Sequence, residues 1–217
     1  MIREFELIDF YYLLLATRWT IALAALALIG GGMVGIVIAT LRVSPVSPLR
    51  WIGAGYVNVV QGIPLLAWLF VFFFGIPVMT GVQVSPWIAA TLAFSAYTGA
   101  FLGEIWRGCL QSIPRQQWET GAALGLSFAE QLRYVIVPQA MRVAIPPSVG
   151  FIVQLIKNTS LGAVIGFVEL TREGQYINAA TYRPFTVYVV VAAIYFAICF
   201  PLTQWSRYLE RKLHAAG

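Results

Sequence analysis

Five apolar stretches run through this chain, each long enough to cross a bilayer, and they leave little room for any other kind of fold. About 20 apolar residues in a helix span the ~30 Å hydrocarbon core. The stretches cover residues 19–41, 51–74, 87–106, 143–164 and 185–205. Tryptophan begins or ends four of them, at Trp19, Trp51, Trp87, Trp106 and Trp205, as expected of side chains that anchor at the membrane interface. With 59% hydrophobic and 11% charged residues, the chain is an all-α integral membrane protein with five transmembrane helices, not a soluble domain with a large core.

The net charge of +5 does not indicate a nucleic-acid partner, because the basic residues sort by membrane face. Arg42, Arg50, Arg107, Arg115, Arg133, Arg142, Arg207, Arg211 and Lys212 fall on one side. Arg3, Arg18, Arg172 and Arg183 fall on the other. The richer side is expected in the cytoplasm, which places the N-terminus outside and the C-terminus inside. Residues 4–16 mix acids with Phe5, Leu7, Ile8, Phe10, Tyr11 and Tyr12, and predict an amphipathic helix on the outer surface. The N-terminus lacks a signal-peptide layout, so the first apolar segment is expected to stay uncleaved. Cys109 and Cys199 do not form a disulfide framework.

Glycines recur four apart at Gly31 and Gly35, Gly99 and Gly103, and Gly162 and Gly166, a spacing that lets helices pack closely in lipid. No internal repeat is visible, and five spans do not divide into equal halves. A complete pathway is therefore expected to need a second subunit.

Two membrane regions carry chemistry. Pro64 removes a backbone hydrogen bond and disturbs the carbonyl of Val60, while Gly62 adds flexibility and Gln61 an amide. This is either a tolerated kink or a broken helix facing a solute pathway. In the fourth span Lys157 lies among Gln154, Asn158, Thr159 and Ser160. An ionisable group in a bilayer is costly and marks a pathway by default, the alternative being a lysine that snorkels to the interface. Thr159 and Ser160 are expected to bond back to the helix backbone.

The longest cytoplasmic segment, 107–142, predicts two short helices. Pro114 suits the start of the first and Gly125 its end. Ser127 and Glu130 have the spacing of a capping box for the second, and Pro138 is expected to stop it. Ala122, Ala123, Leu124, Leu126 and Phe128 cluster at the turn between them. Either the protein's own helix ends cover these side chains or another protein does. Glu104 and Arg107 predict a helix-surface pair. Glu169, Arg172 and Glu173 lie on the outer side, either as a solvated loop or where another protein docks.

At the turn, Glu119-Thr-Gly-Ala-Ala-Leu-Gly125, followed after nine residues by Val135-Ile-Val-Pro138, resembles the EAA loop of bacterial ABC importer permeases. Thr120 and Gly121 replace the motif's two alanines, and valines replace its Ile and Leu. Further segments are similar to the polar amino acid permease branch. They include Gln61-Gly-Ile-Pro64, Glu104-Ile-Trp-Arg107, Ser112-Ile-Pro-Arg-Gln-Gln-Trp-Glu119, Lys157-Asn-Thr-Ser160 and Tyr182-Arg-Pro-Phe185. The resemblance implies a type I importer permease fold with a cytoplasmic coupling helix, in the bacterial inner membrane. It implies a second permease, two ATPase subunits and a periplasmic amino acid-binding protein as partners. It also implies that Glu119, Ala122, Ala123, Leu124, Gly125, Leu126 and Phe128 dock on the ATPase. ATP and magnesium would belong to that subunit, with no cofactor on this chain.

The family often has Arg where Gln61 stands and Asp where Asn158 stands. Losing that Asp leaves Lys157 without its nearest acidic neighbour, and a substrate carboxylate is one candidate counter-charge. The chain has no Gly-rich loop with Lys-Ser/Thr to grip phosphate. Its only histidine is His214, and no span carries a carboxylate pair, so catalysis by this chain is not expected. A stand-alone channel or secondary transporter is the competing reading.

Overall fold

The computed structural model describes residues 3–214. Met1 and Ile2, at the start of the acidic N-terminal segment, and the side chain of His214 lie outside the described residues. Among those described there is helix and turn but no strand.

Helix α1 covers Leu7–Val43, 37 residues, or about 55 Å of helix. No proline or glycine interrupts it before Gly30, so nothing separates its first turns from the membrane span. The expected surface helix over residues 4–16 is therefore the first part of α1 itself. Asp9 anchors that end. It is fully buried, accepts 2.7 Å and 2.5 Å hydrogen bonds from Arg3, and accepts from the Glu6 amide at 3.0 Å.

The second apolar stretch is broken. Helix α2, Ser47–Gly62, and helix α3, Leu65–Thr80, meet at 97°. Ile63 is extended (φ −112°, ψ 132°), as the residue before a proline prefers, and Pro64 opens the next helix. Among the described residues, four helices are individually long and apolar enough to cross a membrane, and the bent pair makes a fifth span when counted as one.

Helix α4, Pro86–Gln111, packs along α1 through the glycines. A Cβ on Gly31 would meet Thr98 at 2.4 Å, one on Gly99 would meet Val34 at 2.6 Å, and one on Gly103 would meet Ile38 at 2.8 Å. Two of the small-residue pairs thus face each other. The third does not serve packing between helices. Gly166 has φ 83° and ends a helix, and Gly162 makes room for Phe167.

Helix α5, Arg115–Ala123, is the short helix of the loop between α4 and the next span. Pro114 precedes it, and Gly125, at φ 77°, follows its end, as the sequence suggested. Helix α6, Phe128–Ile165, begins at the Ser127–Glu130 capping box. Pro138 does not stop it. A wide turn at Gln131–Ile136, closed by the Val137 amide on the Leu132 carbonyl, opens the helix just before the ring, so the chain continues into the membrane. Its last turns, Thr159–Ile165, tighten to 3-10 geometry. Helices α7, Leu170–Thr181, and α8, Pro184–His214, complete the chain. Ser206 of α8 donates to the Pro146 carbonyl of α6 at 2.9 Å.

The main core joins Leu23 and Ala27 of α1, Leu69 of α3, Phe94 of α4 and Leu155 of α6. A second core, around Leu13, Leu170, Ile177 and Val187, binds the first turns of α1 to α7 and α8. Cys109 and Cys199 are both buried and unbridged.

Candidate solute pathway and coupling surface

Breaking a membrane helix frees backbone groups that must find partners. At the α2–α3 elbow the carbonyl of Val60 accepts from the indole of Trp68 at 3.2 Å. Trp68 lies one turn beyond Pro64, so the helix that the proline starts repairs the helix that it ends. Gln61 donates to the Ala100 carbonyl of α4 at 3.4 Å. Gln61, Gly62 and Pro64 are all exposed, and nothing approaches the position of a Gly62 Cβ.

The polar residues of α6 divide among different surroundings. Gln154 is exposed and donates to Asn158 at 2.9 Å, as their i, i+4 spacing predicts. Thr159 is fully buried with its hydroxyl on the Ile156 carbonyl at 2.7 Å, and Ser160 donates to the Lys157 carbonyl at 2.8 Å. Both hydroxyls shape the tight turns that end α6. Lys157 is exposed and turns toward α8, into a groove shared with Tyr195, Phe200 and Arg207. Helix α4 joins the two polar groups. Gln61 contacts it at Ala100, and Phe101 stacks on Phe151 of α6 at 5.6 Å. Sequence reading missed these aromatics, because ring stacking leaves no periodicity of its own.

Residue Glu104 sits between two arginines, Arg42 of α1 at 3.3 Å and Arg107 of its own helix. The pair expected from the sequence is therefore a trio that ties α1 to α4. Glu169 is neither solvated nor available for docking, contrary to both readings of the sequence. It is 0% exposed and caps α7 by accepting from the Arg172 amide at 3.0 Å. It also accepts from Tyr195 at 2.8 Å and Thr20 at 3.3 Å, which links α7 to α8 and α1. Burial pushes its carboxyl above the ordinary range, against the opposing pull of these hydrogen bonds.

On α5, Glu119 pairs with Arg115 at 2.9 Å in an exposed i, i+4 bridge. Ala122, Ala123, Leu124 and Gly125 are exposed, and Leu124 is 75% so. Leu126 and Phe128 are half-buried, and Phe128 stacks on Trp118 at 5.9 Å. The protein's own helix ends cover that part of the apolar cluster and leave the rest bare. Gly121 faces inward, and a Cβ there would lie 2.9 Å from Gln131. Gln131 in turn donates to the Leu126 carbonyl at 2.8 Å. The glycine that weakens α5 by about 1 kcal/mol relative to alanine thus lets α5 sit tightly on the start of α6.

Comparison with known proteins agrees with this architecture. Residues 31–215 match the family described as "Binding-protein-dependent transport system inner membrane component". The chain is 39% identical over 196 residues to the L-cystine transport system permease protein TcyB of Bacillus subtilis, covering 90% of this chain and 83% of that one. It is 34% identical over 197 residues to the glutamine transport system permease protein GlnP of Escherichia coli, covering 90% of each. Among solved structures, one described as an amino acid ABC transporter with histidines superposes with a TM-score of 0.87 at 29% identity. The match covers 98% of this chain and 99% of the other.

Proposed function

This chain belongs to the family of binding-protein-dependent transport system inner membrane components, and on that premise we propose that it is the permease subunit of an ATP-driven importer of polar amino acids. The relatives named for glutamine and cystine support that substrate class. The chain forms the pathway with a second permease and hydrolyses nothing itself. ATP and magnesium act on a separate pair of ATPase subunits. A periplasmic binding protein delivers the solute at the outer face, and the inner face carries the arginine-rich ends.

The observation that carries this reading is α5. It is a nine-residue helix held by turns at both ends, with a bare apolar tip at Leu124. A rigid element of that kind transmits displacement, whereas a mobile loop would absorb it. Glu119, Ala122, Ala123, Leu124, Gly125, Leu126 and Phe128 form the ATPase contact. Gln61, Gly62, Pro64, Gln154, Lys157 and Asn158 line the pathway, with Thr159 and Ser160 setting the turn that orients Lys157.

The test is uptake by the complete importer in proteoliposomes. Gly125 has open space around its Cβ position, and aspartate tolerates its left-handed backbone better than most residues do. Gly125→Asp is therefore expected to fold but to uncouple ATP hydrolysis from uptake. Undiminished uptake overturns the docking assignment. Uptake by the permease without any ATPase overturns the whole reading.

A further inference from the structure

Lys157 and Arg207 are the only charged residues on the wall of the α6–α8 groove, which has a volume of about 350 Å³. That volume lies within the range of small-molecule sites. No ion pair among the described residues includes either cation. Tyr195, Thr203 and Gln204 add hydrogen-bonding groups, and Phe200 an aromatic face.

None of the nine acidic residues of the chain lines this groove, although Glu169 holds the Tyr195 hydroxyl of its wall at 2.8 Å. Asp9 is held by Arg3, Glu4 by Arg183, Glu104 by Arg42 and Arg107, and Glu119 by Arg115. Glu130 is bound to Ser127, and Glu169 is buried under Thr20 and Tyr195. Glu6 sits at the start of α1, Glu173 in the first turn of α7 and Glu210 near the end of α8. A cation in a groove that no carboxylate lines gains from any anion that enters, and a second cation there is repelled.

We infer that Lys157 binds the carboxylate of the transported amino acid in the α6–α8 groove, and that the chain accepts neutral or acidic side chains and rejects cationic ones. This selectivity rests on the permease reading above and narrows its substrate class. Arg207 and Gln204 lie further along α8, where they can meet a second carboxylate or an amide.

A binding protein imposes its own selectivity, so the test leaves it out. Equilibrium binding of radiolabelled L-glutamine, L-glutamate and L-arginine is measured on the purified permease–ATPase complex. Glutamine or glutamate is expected to bind, with arginine weaker by about tenfold or more. Lys157→Gln should lose about tenfold or more of that affinity, and Lys157→Arg, which keeps the charge, should retain it. Thermal unfolding of both variants controls for folding. Arginine binding as tightly as glutamine, an unchanged affinity in Lys157→Gln, or no binding of any of the three would each overturn the inference. The permease reading fails separately, through loss of ATP-dependent uptake by the complete wild-type importer.

Discussion

Trp68 donates its indole N–H to the carbonyl of Val60 across the break made by Pro64, at 3.2 Å. That carbonyl is the one a residue with an N–H at position 64 would have satisfied. Trp68→Phe leaves it orphaned and is expected to cost about 1–3 kcal/mol. The cost should shrink in a Pro64→Ala background, where the restored amide reaches the same acceptor. Thermal unfolding of the single and double variants in detergent measures the coupling. Additive effects would show that the two groups act independently.

Close approach of α1 and α4 predicts a sharp contrast between neighbouring glycines. A methyl on Gly31 would lie 2.4 Å from Thr98 Cβ and 2.8 Å from the Ser95 carbonyl, whereas a methyl on Gly32 meets nothing within 4 Å. Gly31→Ala is expected to destabilise by about 1–3 kcal/mol. Gly32→Ala should be neutral or stabilise by up to about 1 kcal/mol through helix propensity. Unfolding midpoints in the same detergent compare the two.

The buried Glu169 gives the protein a pH dependence whose sign follows from its environment. Its carboxyl is raised above the ordinary value, chiefly by burial, so the folded protein keeps a proton that the unfolded chain releases. The contribution is complete below the ordinary carboxylate value, about 4.3, and is lost as pH rises through the raised one. Glu169→Gln should flatten that slope. Glu169→Ala should destabilise at every pH, by at least about 1–3 kcal/mol, because Thr20, Tyr195 and the Arg172 amide lose their acceptor. Denaturation followed between acidic and neutral pH tests both variants.

Leu124 is 75% exposed at the tip of α5, and its removal leaves no cavity in the permease. Leu124→Asp is expected to leave the unfolding midpoint within about 0.5 kcal/mol of wild type. It should nevertheless weaken co-purification of the ATPase subunit. Full recovery of the complex would place the contact elsewhere on the loop.

Hydropathy was enough to find the membrane helices, because a bilayer admits few alternatives to a long apolar helix. The break at Pro64 and the turn at Gly125 were also legible, since each follows from the backbone limits of one residue. Pro138 misled, because its effect depends on whether the preceding turn can widen, which the turn at Gln131–Ile136 does. Glu169 misled for a different reason. An acid between two helices looks solvated until α1 and α8 close over it. The direction that Lys157 faces depends on the packing of α6 against α8, and no single-residue signal carries that.

The glycine contact between α1 and α4 also limits how the molecule can change shape. With backbones this close, the two helices cannot slide past each other without collision, so they travel together as one slab. Opening and closing must then be taken up elsewhere. The open groove beside Lys157 and the elbow at Ile63 are where this protein has slack to spend.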